Sequence, residues 1–351
     1  MLTTAQIDEP PPSPRGAATA ASAPLLPQVS SLLYPRHYLA IEGHRLFPFT
    51  ISARVPFEQY AGITAVPLSD YTFANNFIWH AQKNGFYQII EDCFCLFSLN
   101  GHTLTMPLPP LGAPGQLSAA LDTCFAIMDG YNPSPLQNRV EFVSRGIATI
   151  LSPDPDRYLV ERCLPDYIYY TKDLIGLQGN AYKTKRSEIN QFRRAYPNHR
   201  METLGPSHHA GIRELLNTWL KNRLQYLSGP DIADFFHTVE QERQAIERAL
   251  THYHTLGLSG LVLIIDEQLE GFTFGERITR DVSNVLVEKT NFAVPGSAQY
   301  LFREYAKTFA DCTYLNVGDD LGLENLRRVK MSYRPALFGE KVTLRRAPAH
   351  G

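Results

Sequence analysis

The sequence predicts an α/β (α+β) protein of two consecutive lobes, each a mixed, mostly antiparallel sheet flanked by helices. Three observations carry this expectation. Strand-sized apolar runs alternate with amphipathic helical stretches along most of the 351 residues. The same order of elements occurs twice. Hydrophobic residues at 44% and charged residues at 19% are globular values, and the length suits two cores.

Residues 1–35 stand apart from this pattern. They hold seven of the 25 prolines beside an Ala/Ser stretch, and Asp8 and Glu9 stand where a secretion signal would be basic. A disordered leader is expected there. The first lobe is then expected over residues 36–165. Residues 47–55 read as a short strand or edge segment, and 69–82 as a helix carrying Phe73, Phe77 and Trp79. Strands at 87–98 and 103–108 flank Asn100-Gly101, a dipeptide suited to the positive φ angles of a tight hairpin. After the Pro109 to Gly115 breaker come a helix at 117–128 and a strand at 140–143. A helix capped by Ser144 and a strand at 167–170 follow.

The second lobe, residues 166–351, repeats the order. A basic helix at 182–196 is stopped by Pro197. Further helices span 210–226 and 242–256, the latter ended by Gly257 as a left-handed C-cap. Strands at 260–266 and 271–277 are joined by a polar turn, and a third strand ends at Glu288. Pro295-Gly296 leads into a helix at 297–309, followed by a strand at 313–317 and a last helix at 321–333. Antiparallel strands followed by strand–helix–strand–helix is the order of acetyltransferase-like (GNAT-type) folds. Its recurrence points to a tandem pair on element order alone.

Composition narrows the function. The net charge of -2 gives no global basic field, so a polyanion site must be a local patch. Five cysteines show neither C-x-x-C nor a Cys/His zinc spacing, and Cys93 and Cys95 alternate on one strand face. A reducing, cytoplasmic compartment is expected. The longest wholly apolar runs, such as 261–265, are too short to span a bilayer, which leaves contact with a membrane surface open. His208-His209 and the other histidines lack metal-ligand spacing, so no metal is expected.

Several stretches carry a resemblance to a family. They are Ser69-Asp70-Tyr71-Thr72-Phe73-Ala74-Asn75 with Trp79, the Pro109-Pro110-Leu111-Gly112 turn, and Lys183/Lys185/Arg186/Asn190/Phe192 with Tyr196-Pro197. They continue with Phe272-Thr273-Phe274-Gly275-Glu276, Glu288-Lys289, and Gly296 with Gln299. Asn316, Asp319-Asp320-Leu321-Gly322, Leu326-Arg327, Lys330 and Ser332-Tyr333 complete the set. From about residue 37 to 340 the chain resembles the phosphatidylglycerol lysyltransferase C-terminal-domain family. The resemblance implies a tandem acetyltransferase-like fold. It also implies transfer of an amino acid from aminoacyl-tRNA, the co-substrate, to a lipid or small-molecule acceptor, with no further cofactor.

The candidate residues follow. On a helical wheel Lys183, Arg186, Asn190 and Arg194 share a stripe opposite Tyr182, Ile189, Phe192 and Tyr196. With Arg193 they read as phosphate contacts for tRNA, or as a solvated face. Lys185 points toward the apolar side and either snorkels or reaches into the cleft between lobes. The turn at Gly296 exposes helix N–H groups to an anion or is an ordinary cap. Glu288 takes the acceptor's proton, binds an α-ammonium, or forms a surface ion pair with Lys289. Asp319 and Asp320 precede the last helix as caps or functional carboxylates. Lys330 borders its apolar face and needs a partner, Asp320 or a phosphate. Gln299, Asn316, Arg327 and Tyr333 join the substrate-binding set through the resemblance, and Glu288, Asp320 and Lys330 form the catalytic set. Two rival readings remain: an acyl-CoA-dependent N-acyltransferase, and a non-catalytic tRNA- or lipid-binding protein.

Overall fold

The structure, a computed structural model, describes residues 38–81, 84–224 and 231–347. The expected leader lies outside these, as does the end of the helix expected at 210–226. A five-stranded antiparallel sheet opens the fold, with strands Leu39–Ile41, His44–Pro48, Gly85–Ile90, Cys93–Asn100 and Thr103–Thr105 in sequence order. Asn100-Gly101 forms its expected hairpin, with Asn100 opposite Thr103 and Gly101 at φ 62°. A second tight turn splits the single strand expected at 87–98. There Glu91 (φ 48°) and Asp92 (φ 53°) are both left-handed, and the Tyr60 hydroxyl donates to Asp92 at 2.8 Å. With no glycine at that turn, its signal was absent from the sequence.

Residues 47–55 depart from the expected strand. The strand stops at Pro48 and the helix Arg54–Thr64 follows a 3-10 turn. Pro56 falls in the first turn of that helix, where its missing N–H costs nothing. Thr72 caps the helix Phe73–His80 by accepting from the Asn75 amide at 3.2 Å, and Ser144 caps Arg145–Leu151 in the same way.

A three-stranded antiparallel sheet takes its outer strands from Arg139–Ser144 and Tyr158–Arg162. Its central strand is Lys341–Arg346, from the far end of the chain. Two four-stranded sheets complete the fold. One orders Val287–Thr290, Gln268–Gly275, Ser259–Ile265 and Arg200–Thr203; the other orders Val282–Asn284, Tyr314–Asn316, Asp166–Tyr170 and Leu337–Gly339.

The chain crosses between these two sheets at Val285 and Leu286, whose amides bond to Asn316 and Phe274 respectively. Beyond that point the sheets part. Among the described residues Val287–Thr290 pairs only with Gln268–Gly275, while the Val317 amide turns to Tyr167 at 3.0 Å. Glu288 is therefore the second residue of a strand, not the last, and it sits at the opening. The last helix is Glu324–Ser332, three residues later than expected, because Leu321 (φ 52°) and Gly322 (φ 70°) make a turn first. None of its residues is buried. The main hydrophobic core runs continuously from Phe49, Phe57 and Phe94 to Val262, Phe272 and Phe274.

Candidate active site

A cleft of about 1670 Å³ lies at the opening of the two sheets. Asp70, Trp79, Phe142 and Asp166 line it from the first half of the sequence; Glu288, Gln299, Lys330, Tyr333 and Lys341 line it from the second.

Glu288 pairs across the ladder with Thr273, so their side chains share a face. Glu288 Oε2 and Thr273 Oγ1 are both occluded and have no hydrogen-bond partner among the described residues. Burial pushes the Glu288 carboxyl up to about 8, with the Lys330 charge acting against it. Lys289, one residue on, projects to the opposite face as strand alternation requires. Its Nζ lies 2.9 Å from Glu242 and 4.3 Å above the Trp219 ring. The expected Glu288–Lys289 rim pair is therefore divided between two faces.

Lys330 enters the cleft from the last helix. Its ammonium donates to the backbone carbonyls of Val317 (2.6 Å), Gly318 (3.1 Å) and Asp319, and lies 5.6 Å from the Tyr167 ring centre. Burial lowers it to about 8, although Asp319, Asp166 and Asp320 favour its charge. The carboxylate partner expected in Asp320 is not there. Asp320 Oδ2 accepts from Tyr167 (2.6 Å) and Arg327 (2.8 Å), and Oδ1 accepts from the Gly322 amide. The Arg327 contact above all holds this carboxyl down, at about 2. Asp320 is absent from the cleft lining and anchors the turn together with Arg327, apart from the Glu288 and Lys330 with which it was grouped. Neither aspartate caps the last helix: Leu323 is the N-cap, and Asp319 accepts from the Leu321 amide.

A buried charge network borders Lys330, and sequence reasoning missed most of it. Lys341 Nζ lies 2.7 Å from both Asp70 Oδ2 and Asp166 Oδ1. Asp166 Oδ2 accepts from Asn316 at 2.8 Å, and Asn316 Oδ1 accepts from the Gly318 amide at 2.8 Å. Burial opposes the Lys341 charge, but the two carboxylates outweigh it and hold the ammonium above its ordinary range. Asp70 lay within a stretch that carried the resemblance. Asp166 and Lys341 had no such flag, because only a pairing 175 residues apart makes them partners. Asn316 binds protein groups here.

The basic helix, Lys183–Ala195, is divided in its roles. Lys183, Asn190, Arg193 and Arg194 are exposed and stand outside the cleft lining. Arg186 donates to the carbonyls of Leu177 and, at 2.6 Å, Gly179, so it secures the preceding turn. Lys185 is buried, 4.7 Å above the Tyr333 ring and 3.6 Å from Glu188, behind the cleft wall that Tyr333 forms. Gly296 (φ 83°) packs under this helix. A Cβ built there would meet the Glu188 carbonyl oxygen at 2.6 Å and Phe192 Cβ at 2.9 Å. The side of the turn at Gly296 is thus covered, while Ala298 and Gln299 one turn on face the cleft.

Among the described residues, no cluster of three or more His, Cys, Asp or Glu could hold a metal, and no helix is long and apolar enough to cross a membrane.

A family model described as "Phosphatidylglycerol lysyltransferase, C-terminal" matches residues 64–343. A search of curated proteins gave no match. Among solved structures, the chain is similar to a conserved protein of unknown function from Bacteroides thetaiotaomicron. That pair has a TM-score of 0.71 and 24% identity, covering 88% of this chain and 100% of that one. It is also similar to the C-terminal domain of a proposed lysylphosphatidylglycerol synthetase from Agrobacterium fabrum (TM-score 0.60, 12% identity, 84% and 93% covered). A third is L-PGS from Bacillus licheniformis (TM-score 0.58, 13% identity, 85% and 92% covered). At these identities the likeness establishes the mixed helix and sheet fold alone.

Proposed function

Because this chain belongs to the phosphatidylglycerol lysyltransferase C-terminal family, we propose that it transfers an aminoacyl group from aminoacyl-tRNA to a lipid or small-molecule acceptor. The observation that carries this reading is the pairing of Glu288 and Lys330 in one cleft. One is a carboxyl with an unpartnered oxygen, the other an ammonium held by three carbonyls.

In the reaction the acceptor's hydroxyl or amine attacks the ester carbonyl carbon. Glu288 takes the acceptor's proton, and Lys330 faces the negative charge that builds on the carbonyl oxygen. The carbon–oxygen bond to the tRNA ribose then breaks, and the ribose oxygen recovers a proton. No covalent enzyme intermediate is needed. Lys183, Arg193 and Arg194, exposed on one helix, suit phosphate contacts with the donor.

Two further observations weigh on the partners. The covered Gly296 turn, with no basic residue in it, disfavours a pyrophosphate cradle and hence an acyl-CoA donor. Leu321 and Val329, which line the cleft, are 71% and 49% exposed, and Leu323, Met331, Arg328 and Arg334 are exposed on the same segment. Apolar side chains flanked by arginines favour an acceptor met at a lipid surface. Within this reading the chain is a two-lobed, tandem acetyltransferase-like enzyme divided near residue 165, working in the cytoplasm.

The test is incubation with a pool of charged tRNA, with and without lipid vesicles. Discharge of an aminoacyl-tRNA together with a new aminoacylated product supports the reading. If every aminoacyl-tRNA stays charged at the rate of a protein-free control, the reading fails.

A further inference from the structure

We propose that Asp166, Asn316 and Lys341 are positioning residues for Lys330, because together they clamp the turn whose carbonyls receive its ammonium. The chain of contacts is continuous. Lys341, on the central strand of the three-stranded sheet, grips Asp166 at 2.7 Å and is braced from the other side by Asp70 at 2.7 Å. Asp166 fixes the Asn316 amide at 2.8 Å, and Asn316 in turn receives the Gly318 N–H at 2.8 Å. The carbonyls of Val317, Gly318 and Asp319, which hold Lys330, belong to that same turn.

Burial makes this connection stiff. Asp166, Asn316 and Lys341 are 1%, 0% and 3% exposed, so water cannot substitute for a lost bond without a rearrangement. Gly318 has φ 66°, and its backbone direction depends on what its amide meets. Asn316 supplies that acceptor from two residues away. A turn held only at its two ends could rotate its carbonyls away from Lys330; one held at Gly318 cannot.

The network also sets the charge that Lys330 meets. The charged groups facing the Lys330 ammonium are Asp319 and Asp320 from its turn, Asp166 from the neighbouring strand, Lys341 from the three-stranded sheet, and Glu288 across the cleft. Asp166 favours the Lys330 ammonium and Lys341 opposes it.

The catalytic task given to Lys330 rests on the proposed function, but the positioning role does not, so the test reads Lys330 directly. The midpoint of Lys330 is followed by the ε-carbon chemical shift of isotope-labelled lysines, assigned by its loss in Lys330→Arg. Asp166→Asn, which keeps the shape and removes the charge, should lower that midpoint by about half a unit or more. Asn316→Ala, which leaves every charge in place, should raise it by a similar amount as the turn loosens and water reaches the ammonium. In each variant, melting temperature is recorded alongside. A folded protein with both midpoints displaced in these directions supports the proposal. Midpoints unchanged within a tenth or two of a unit in both variants, whatever the melting temperature does, would overturn it. Should one variant fail to fold, the other still decides. Because no tRNA is present, an inactive transfer assay would sink the proposed function and leave this result standing.

Discussion

Replacing Lys330 by Met removes a charge while keeping most of the stem's bulk, and the structure gives the size of each effect. Burial lowers the ammonium from 10.5 to about 8, a cost to the charged form on the order of 3 kcal/mol. That is an upper bound, because the residue is only partly buried beside an open cleft. Against it stand three charge-assisted bonds to carbonyls, each worth about 1.5–3 kcal/mol when made. Val317, Gly318 and Asp319 line the cleft, so water replaces the ammonium at those carbonyls in the variant. The terms offset, and stability at pH 7 should hold to within about 1 kcal/mol. Transfer should fall by about a hundredfold or more, the scale of one preorganised electrostatic group. The pH dependence gives a second check. With the folded-state pKa below the unfolded one, the unfolded chain binds the proton more tightly between about pH 8 and 10.5. Wild type should therefore gain stability over Lys330→Met across that window. Denaturant melts at pH 7 and pH 10, with single-turnover transfer, measure all three quantities. A stable Lys330→Met protein that transfers at the wild-type rate refutes the catalytic reasoning. A loss of about 3 kcal/mol or more at pH 7 would make Lys330 a structural residue.

Glu288→Gln should reduce transfer by about a hundredfold or more. Since burial raises this carboxyl from 4.5 to about 8, wild type should lose stability relative to the variant as pH rises from 4.5 to 8, as paired melts would reveal. Transfer by the wild-type protein should follow a bell centred near pH 8, with Glu288 on the rising limb and Lys330 on the falling one; a flat profile from pH 6 to 10 contradicts both roles. Lys183→Ala and Arg193→Ala should each lower the salt slope of tRNA binding by about one unit, measured by titration. Arg186→Ala should instead lower the melting temperature, because its guanidinium secures the Leu177 and Gly179 carbonyls. Gly296→Ala should cost about 1–3 kcal/mol in a denaturant titration, given φ 83° and a backbone oxygen 2.6 Å from the new Cβ.

Local chemistry made much of this fold legible. Asn100-Gly101, the Ser144 cap and the Gly257 C-cap act within four residues of themselves, and each element they mark is present. Glu288 was singled out as ending a strand at the rim and Lys330 as bordering an apolar helix face, and both line one cleft. What escaped is what depends on distant partners. Lys341 reads as one more basic residue in a basic tail, and its Asp70 partner lies 271 positions away. Asp320 misled because a carboxylate ahead of a helix resembles a cap, whereas Tyr167, 153 positions earlier, and Arg327 claim it. The strand Tyr158–Arg162 was missed because most of its residues are exposed and carry no apolar alternation.

The position of Lys341–Arg346 between Arg139–Ser144 and Tyr158–Arg162 has a consequence for synthesis on the ribosome. The two outer strands emerge early and have no direct pairing with one another, so they must wait for a partner made nearly two hundred residues later. Until it arrives, each presents an unpaired edge to whatever else is in solution. Contacts of such long range slow folding and extend the time a nascent chain is open to mispairing. A chain interrupted before Lys341 would lose a whole sheet and the Lys341 brace together.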